Sequence, residues 1–386
     1  MKTSKTGAVS LRADSAERGE SSEEFSGRAL TEREAARISA DRATLGRPQP
    51  ESGTRLTLGR REMLRAGLSG AAGLAAGLAL DGPAALAVQT AQDNGKRTPK
   101  HRVIDAHNHP RWIGHDGARI IEDMDAAGIE RTWLLSWEIP ERELDTAYYA
   151  KLSPTGVGIP FRDVIDVAER YPDRFIPGTT TDPRDPHALQ RLKAAVDIYR
   201  VRVFGEFKLR LRYDDPDAIR LFRYCGELGL PVVFHLDVTF PRHGVPGDWQ
   251  WWYGGGIENM EAPLRLCPHT QFLGHAPGFW REISADADQE PKAHPTGKPI
   301  VGRGRILEYL DKFLNLNCDL SGGSGYTALS RDLDFTRKFL IDYQDRVFFG
   351  RDDFNNKLYD LLVSLNLPDA VLAKILAGNA LRLVPV

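Results

Sequence analysis

From residue 102 onward, short apolar runs alternate regularly with amphipathic helical patterns, and this alternation predicts an α/β fold, a (β/α)8 TIM barrel with parallel strands. The apolar runs are rich in β-branched and aromatic residues, and the intervals between them can hold a crossover helix. A doubly wound open sheet is the main rival, but no glycine-rich phosphate-binding turn follows the first strand. The predicted strands cover residues 102–107, 130–136, 174–180, 200–207, 231–236, 270–275, 314–320 and 345–350.

Each predicted strand is followed by a helix-like run, and two of the connecting loops are unusually long. These loops follow strand five (241–256) and strand six (about 276–302), and loops of this length above a barrel usually act as lids or specificity elements. The first loop is rich in aromatic residues, of which Trp252 and Tyr253 are predicted to contact the substrate. The alternative, that these rings pack the loop onto the barrel rim, stays open. The helices are expected near residues 117–127, 161–171, 186–198, 216–229, 257–266, 303–313, 329–342 and 356–365.

The composition describes a large globular domain and limits its partners. The chain has 386 residues, of which 41% are hydrophobic, and one barrel over residues 101–386 accounts for most of it. The net charge of −2 gives no case for nucleic-acid binding. No apolar run is long enough for a transmembrane span in the mature protein. The cysteines, an odd number for a disulfide framework, are expected to be buried thiols, and formation of a homo-oligomer is left open.

The first part of the chain predicts a leader and an export signal. Residues 1–55 are polar and charged, which predicts disorder or a start codon placed too far upstream. In residues 56–87, the pair Arg60-Arg61 precedes an uncharged stretch of small and apolar residues and a small-residue cleavage site. An amphipathic helix with a chance arginine pair is the alternative, which the glycines disfavour. The pattern therefore predicts cleavage near Val88, export by the twin-arginine machinery to the periplasm or the exterior, and no stable membrane anchor.

Four apolar runs end in residues that bind metal ions. His107-Asn108-His109 closes the first strand, and alternation along a strand predicts that both imidazoles share one face with Asp105. The other runs end in His235, His275 and Asp352. The carboxyl ends of barrel strands meet at one face, where the chemistry lies. Imidazoles and a carboxylate gathered there predict a divalent metal site, most favourably for Zn²⁺, with a position left for water.

These motifs resemble those of the metal-dependent amidohydrolase superfamily, in particular the branch that includes aminocarboxymuconate-semialdehyde decarboxylase and related hydrolases. The matching residues are Asp105-Ala106-His107-Asn108-His109, His235, His275, Phe349-Gly350-Arg351-Asp352 and the closing segment 374–383. The resemblance covers about residues 101–386, and its motif order is typical of the superfamily and not of one substrate. It implies a metal-binding set and a catalytic histidine, His275. The implied metal set is His107, His109, His235 and Asp352.

Two further charged residues near strand ends each have two interpretations. Glu206 is predicted to share a strand face with Phe204 and Lys208. It either binds metal there, bridging a second ion as in some branches of the superfamily, or forms a buried ion pair with Arg202 or Lys208. Arg351 either binds a substrate carboxylate or forms a salt bridge in the barrel wall with Asp353 or Glu206. The metal count is therefore left at one ion or two.

The residue types at this face also suggest a reaction. A divalent ion lowers the pKa of bound water from ~16 to about 7. Asp352 is suited to act as general base, and His275 to polarise a carbonyl or protonate a leaving group. The leading prediction is therefore a hydrolase of an amide, lactone or other ester bond in a small molecule, which export favours. The alternative is a non-oxidative decarboxylase of an unsaturated or aromatic acid. A metal-binding scaffold without turnover is the third interpretation. The presence of a candidate acid, His275, and a candidate base, Asp352, argues against it.

Overall fold

The computed structural model describes residues 96–140, 143, 158–237, 253–289 and 298–386. Several predictions lie outside these residues, namely the leader over 1–55, the export signal over 56–87 and the substrate contact of Trp252. Most of the long loop after strand five lies outside them as well.

Eight parallel strands form one sheet in which each strand pairs with the next along the chain. The last strand returns to the first, since Ala106 N donates a hydrogen bond to Phe349 O at 3.0 Å. The predicted (β/α)8 barrel is confirmed, with a strand in each predicted segment. In chain order the strands are β1 (Ile104–Asn108), β2 (Arg131–Leu134), β3 (Phe175–Thr179), β4 (Val203–Phe207), β5 (Val232–His235), β6 (Phe272–His275), β7 (Leu316–Asp319) and β8 (Val347–Phe348).

Helices follow the strands and cover the outside of the barrel. In chain order they are α1 (Gly117–Ala127), α2 (Phe161–Arg170), α3 (Ala188–Tyr199), α4 (Pro216–Glu227), α5 (Glu261–Leu266), α6 (Pro277–Trp280), α7 (Arg305–Lys312), α8 (Gly322–Ser330), α9 (Leu333–Asp342), α10 (Lys357–Ser364), α11 (Asp369–Ala373) and α12 (Asn379–Leu383). A π-helical turn, Lys374–Gly378, joins α11 to α12, and 3₁₀ turns cover Trp112–Gly114, Ile257–Met260, Arg281–Ile283 and Ala287–Gln289.

The helix α1 illustrates why the predicted boundaries hold. Asp116 precedes it and its side chain accepts a hydrogen bond from Arg119 N, which satisfies one of the free donors of the first turn. Gly128 ends it with φ of 72°, a left-handed conformation that glycine adopts without steric cost. Between them Ile120 and Met124, four residues apart, are buried on one face.

Two regions of helix differ from the prediction. The helix predicted over 329–342 begins at Leu333 and is preceded by α8, whose opening Gly322-Gly323-Ser324-Gly325 has low helix propensity and gave no signal. The segment after β6, expected to be an open loop, contains α6 and two 3₁₀ turns in its described part. The glycine-rich start of α8 shows that local propensity does not set this helix.

Two apolar layers hold the barrel together. The outer layer lies between strands and helices, and it includes Val103, Phe204 and the buried residues of α1. The inner layer fills the barrel and is closed by residues of the last helical segments. Its members are Ile104, Ala106, Trp133, Leu135, Ile176, Val203, Val233, Leu273, Phe348, Ala377, Ala380 and Val384. Polar side chains are therefore gathered at the opposite mouth, where the strands end.

Two β-bulges change which residues face that mouth. Asp105 pairs with Thr132 and Asn108 pairs with Leu134, so β1 advances by three residues where β2 advances by two. Phe204 likewise pairs with Val232 and Phe207 with Phe234, so β4 advances by three residues where β5 advances by two. An extra residue reverses the alternation of side chains beyond it.

The predicted sharing of faces is therefore wrong for Asp105 on β1 and for Phe204 on β4, whereas His107 and His109 share a face as predicted. Asp105 faces α1 while His107 and His109 face the barrel mouth. Phe204 lies in the outer layer while Glu206 lies at the mouth.

The buried thiols and the helix lengths agree with the sequence analysis. Cys225, Cys267 and Cys318 are buried and form no disulfide. Among the residues that the structure describes, none of the helices combines the length and apolar character that crossing a membrane requires.

Candidate metal centre

His107 and His109 bring two ring nitrogens together at the end of β1. Their Nε2 atoms are 3.2 Å apart, and both residues are buried. The other nitrogen of each ring is held: His107 Nδ1 lies 2.6 Å from Asp319 Oδ2, and His109 Nδ1 donates to Leu135 O at 2.9 Å. A carbonyl and a carboxylate only accept, so each neutral ring carries its proton on Nδ1, and the two Nε2 lone pairs converge.

Two lone pairs at this separation fit a shared metal ion. With zinc–nitrogen distances of about 2.0–2.1 Å, tetrahedral ligand atoms lie about 3.3 Å apart. Burial alone would lower the pKa of His107, but the charge and hydrogen bond of Asp319 raise it to about 9. Burial and the charge of His107 lower the pKa of His109. One positive charge is thus favoured between the rings, where a divalent ion would lie.

Glu206 connects this pair to the histidine of β5. Its Oε1 accepts a short hydrogen bond from His235 Nδ1, and its Oε2 lies 3.5 Å from His109 Nε2. Burial would raise the pKa of Glu206, but the charges of Lys208 and His235 lower it well below its usual range. The other ring nitrogen of His235 lies 3.0 Å from Asp237 Oδ2. Glu206 is therefore an ionised carboxylate shared between imidazoles, and it forms no ion pair with Lys208 in the described structure.

Asp352 lies between two imidazoles after β8. Its Oδ1 is 3.5 Å from His109 Nε2, and its Oδ2 is 3.5 Å from His275 Nε2. Its φ of 47° is left-handed, which aspartate tolerates better than most residues, and its N donates to His107 O at 2.8 Å. Burial would raise the pKa of Asp352, but the hydrogen bond with His275 and the neighbouring imidazolium charges lower it to about 2. The carboxylate is therefore ionised.

Asp319, which the sequence analysis missed, contacts the Nδ1 atoms of two of the histidines. Its Oδ2 lies 2.6 Å from His107 Nδ1 and 3.5 Å from His275 Nδ1. Its Oδ1 accepts from Ser321 N at 2.9 Å, and Ser321 Oγ is hydrogen-bonded to His275 Nδ1 at 2.9 Å. Gly350 allows this approach, since a Cβ there would lie 2.9 Å from Asp319 Oδ1. Asp319 ends β7 as the predicted ligands end their strands, so the same rule would have found it.

Asp237 was missed as well. It lies two residues after His235, the spacing that His109 has from His107, and that repetition was the available signal. Ser321 had no signal in the sequence, because its role depends on the turn after β7.

The predicted metal-binding and catalytic residues come together in overlapping groups of three, which we call the metal centre. Within each group, one ligand atom per residue lies within 4.8 Å of the others. The groups are His107–His275–Asp352, His107–His109–Glu206 and Glu206–His235–His275. Imidazole nitrogens and carboxylate oxygens in this arrangement could hold a divalent metal ion. Distance alone does not separate His275, predicted to be catalytic, from the predicted ligands.

Arg351 faces away from the metal centre. It is 3% exposed, its Nε donates to Asp105 Oδ2 at 2.9 Å, and its Nη1 lies 2.7 Å from Asp123 Oδ2 on α1. A guanidinium held by two carboxylates in the barrel wall is neutralised, so this position does not support the predicted contact with a substrate carboxylate. The structure has the alternative salt bridge, but its partners among the described residues are Asp105 and Asp123 and not the predicted Asp353 or Glu206.

Tyr253 lies beside the metal centre. Its ring is fully buried and meets the His235 ring edge-on, with 5.5 Å between the ring centroids. Its contact with a substrate stays a prediction.

Three solved structures align over about three-quarters of the chain. The first is 5-carboxyvanillate decarboxylase from Sphingomonas paucimobilis, 16% identical over 74% of this chain and 99% of that chain, with a TM-score of 0.47. The second is 2,6-dihydroxybenzoate decarboxylase from Rhizobium, 16% identical over 73% and 98%, with a TM-score of 0.45. The third is a probable 2-pyrone-4,6-dicarboxylic acid hydrolase from Acinetobacter baumannii, 11% identical over 73% and 98%, with a TM-score of 0.45. Likenesses at this level carry no argument about the reaction of this chain.

The family is shown by the sequence itself. No curated protein sequence matches the chain. Residues 104–386, however, match the model of the amidohydrolase family, and this match spans most of the chain and every residue of the metal centre. The chain therefore belongs to the amidohydrolase family.

Proposed function

We propose that the chain is a metal-dependent hydrolase that cleaves an amide, lactone or other ester bond of a small molecule. The observation that supports this most is the position of Asp352, whose two oxygens lie 3.5 Å from His109 on one side and 3.5 Å from His275 on the other. Hydrolysis moves a proton from the attacking water to the leaving group. A carboxylate between a metal-side imidazole and a second imidazole is suited to that transfer.

Asp352 and His275 divide the proton transfers. Asp352, with its pKa lowered to about 2, is ionised at neutral pH and accepts the proton of the attacking water. His275 is held at Nδ1 by Ser321 and Asp319, which leaves Nε2 directed at the centre to protonate the leaving atom. A divalent ion would polarise the scissile carbonyl and make water more acidic.

The metal is expected to be Zn²⁺. Imidazole-rich sites favour it over Mg²⁺ and Ca²⁺. One ion would be held by the predicted set of His107, His109, His235 and Asp352. Glu206 belongs to two of the groups of three, which supports its prediction as a ligand and leaves a second ion open.

A second candidate is non-oxidative decarboxylation of an unsaturated or aromatic acid at the same centre. It is favoured by the buried ammonium of Lys208, whose charge acts on Glu206 and His235 and suits a carboxylate ligand. Decarboxylation needs one proton at the carbon that loses CO₂, and His275 is placed to supply it.

The two reactions are separated by assays of the metal-loaded protein on two panels. The first panel contains esters, lactones and amides, with acid release followed at constant pH. The second contains substituted benzoic and unsaturated acids, with CO₂ release followed. We expect turnover on the first panel, and His275→Ala should abolish it while the metal content is unchanged. CO₂ release on the second panel with no hydrolysis on the first would replace the hydrolase with the decarboxylase.

Export concerns residues outside the described structure and is tested separately. Replacing both Arg60 and Arg61 with Lys should hold the precursor in the cytoplasm, because twin-arginine receptors read the pair itself. A double variant that still leaves the cytoplasm would overturn the export proposal. Exported protein that keeps Met1 at its amino terminus would do the same.

A further inference from the structure

Lys208 carries a buried ammonium group beside the metal centre. The residue follows β4, two positions after Glu206, and it is 8% exposed. Its Nζ lies 4.1 Å from the centroid of the Trp137 ring and 5.5 Å from that of the Tyr253 ring. Both rings are buried, so the ammonium is framed by two aromatic side chains.

The aromatic frame fixes the ammonium without supplying an oxygen acceptor. Lysine has three N–H donors, and cation–π contacts use the charge of the group but occupy none of the donors with a lone pair on oxygen. Within the described ranges, Lys208 Nζ forms no ion pair or hydrogen bond with a carboxylate. The nearest candidate, Glu206, has one oxygen bonded to His235 and the other near His109. A largely buried cation that has no carboxylate partner among the described residues would be stabilised by a bound anion.

The ammonium lies next to residues of the metal centre. The Tyr253 ring that contacts the ammonium also meets the His235 ring edge-on at 5.5 Å. Lys208 also follows Glu206 by two residues, so both lie at the carboxyl end of β4.

Arg351 and Lys208 differ in the groups that surround their charges. Arg351 is also buried, but two carboxylates at 2.9 and 2.7 Å neutralise it. Lys208 has the aromatic frame in their place. A ligand that suits both the ammonium and the frame has a carboxylate attached to a flat, conjugated or aromatic body.

We infer that Lys208 is a substrate-binding residue that holds a carboxylate group of a planar, unsaturated or aromatic substrate against Trp137 and Tyr253. This inference rests on the proposed function in taking the metal centre as the reaction site. It narrows the substrate class, because a neutral ester, amide or lactone without an anionic group would leave the ammonium without an anionic partner among the described residues. It assigns the specificity for an anion to Lys208 and not to the metal ion alone.

The test is a binding measurement with a matched pair of probes, benzoate and its neutral amide, benzamide. Both are titrated into the metal-loaded protein and followed by isothermal titration calorimetry. We expect wild-type protein to bind benzoate more tightly than benzamide. Lys208→Met should weaken benzoate binding by at least about tenfold, the order of a lost charge-assisted hydrogen bond. Benzamide binding and metal content should stay unchanged.

Lys312→Met is the matched control. The Lys312 ammonium also lies over a ring, 5.0 Å from the centroid of Phe313, but it is exposed and paired with Glu261 on the surface. Its loss should leave benzoate binding unchanged. A second variant, Lys208→Arg, keeps the charge and should retain the preference for benzoate, which guards against a Met variant that fails to fold.

Two results would overturn the inference. One is wild-type protein that binds benzoate no better than benzamide. The other is Lys208→Met that keeps wild-type benzoate affinity, which would assign anion binding to the metal alone. Neither result depends on turnover, so they are distinct from failure of the hydrolase proposal, which would appear as a metal-loaded protein with no activity on the ester, lactone and amide panel.

Discussion

Two buried groups of charged residues lie at the ends of β1 and β8, and they differ in what satisfies their charges. In the wall cluster (Asp105, Asp123 and Arg351), the guanidinium lies within 2.9 Å of a carboxylate on each side. In the metal centre, basic atoms face one another, as the Nε2 atoms of His107 and His109 do at 3.2 Å. The wall cluster contains both signs of charge and stabilises the fold. The metal centre directs lone pairs at a common point and is suited to bind a cation.

The same strand supplies both groups. Asp105 and His107 are two residues apart on β1, and a regular strand would direct them to one face. The bulge between Asp105 and Asn108 separates them, so that Asp105 faces α1 and His107 faces the mouth. The comparison teaches that buried charge does not by itself mark a functional site. A functional site is marked by lone pairs that are directed at a common point.

The largest effect is expected from removing an imidazole of the metal centre. His107→Ala and His235→Ala should each lose the metal, and turnover should fall by at least about 10³-fold, because a catalytic ion contributes several kcal/mol. Metal is measured by elemental analysis and folding by circular dichroism. His269→Ala is the control, since this histidine is exposed on the surface. A His107→Ala protein that keeps one ion per chain would show that the β1 pair is not a ligand pair.

The wall cluster should respond in stability and not in metal content. Arg351→Met leaves Asp105 buried without its cation, so the free energy of unfolding should fall by about 3–5 kcal/mol. Urea denaturation measures it. Arg303→Met removes an exposed ion pair with Asp311 and should cost no more than ~1 kcal/mol. If Arg351→Met is as stable as wild type but binds substrate poorly, Arg351 belongs to the substrate site after all.

Asp352→Asn tests the base within the metal centre. The amide keeps the volume of the side chain but cannot take up a proton at neutral pH. Turnover should fall by ~10²-fold or more, the usual range for losing a general base, while the fold is kept. Steady-state kinetics and metal content are measured together. Near-normal turnover with bound metal would make Asp352 a structural residue, and Glu206 or His275 would then have to serve as base.

Asp319→Asn should have a smaller effect that reaches two histidines at once. The amide can still approach His107 and His275, but it no longer fixes the proton on Nδ1 with a full negative charge. Metal affinity should fall by about 10–100-fold, as is usual when a residue that orients a ligand is changed. Chelator competition measures the affinity. Ser330→Ala, a surface substitution, is the control. Unchanged affinity in Asp319→Asn would limit Asp319 to a packing role.

Much of this architecture could be predicted because it depends on local patterns in the amino-acid sequence. The spacing of buried residues predicted the strands and most helices, as in α1, and the rule that barrel strands end at the chemistry brought together His107, His235, His275 and Asp352. The helix α8 could not be predicted, because its glycine-rich start becomes helical only through tertiary packing.

The remaining errors share one physical cause. Bulges arise from how a strand pairs with its neighbour, and β1 carries no local signal for the extra residue. In β4, Gly205 lies inside the irregular stretch between Phe204 and Phe207, and a glycine within a strand is a signal of a bulge that the alternation pattern did not use. Alternation therefore misplaced Asp105 and Phe204. The partners of Arg351 depend on that bulge and on α1, so they could not be read from the sequence around β8.

The central claim is that the convergent imidazoles and carboxylates at the barrel mouth form a divalent-metal site on which activity depends. Elemental analysis of the purified wild-type protein, before and after dialysis against a chelator, tests it most directly when turnover is followed on the same samples. We predict at least one divalent transition-metal ion per chain, lost together with activity on chelation, with both restored by adding Zn²⁺. Protein that contains no such ion and whose activity is insensitive to the chelator would contradict the account.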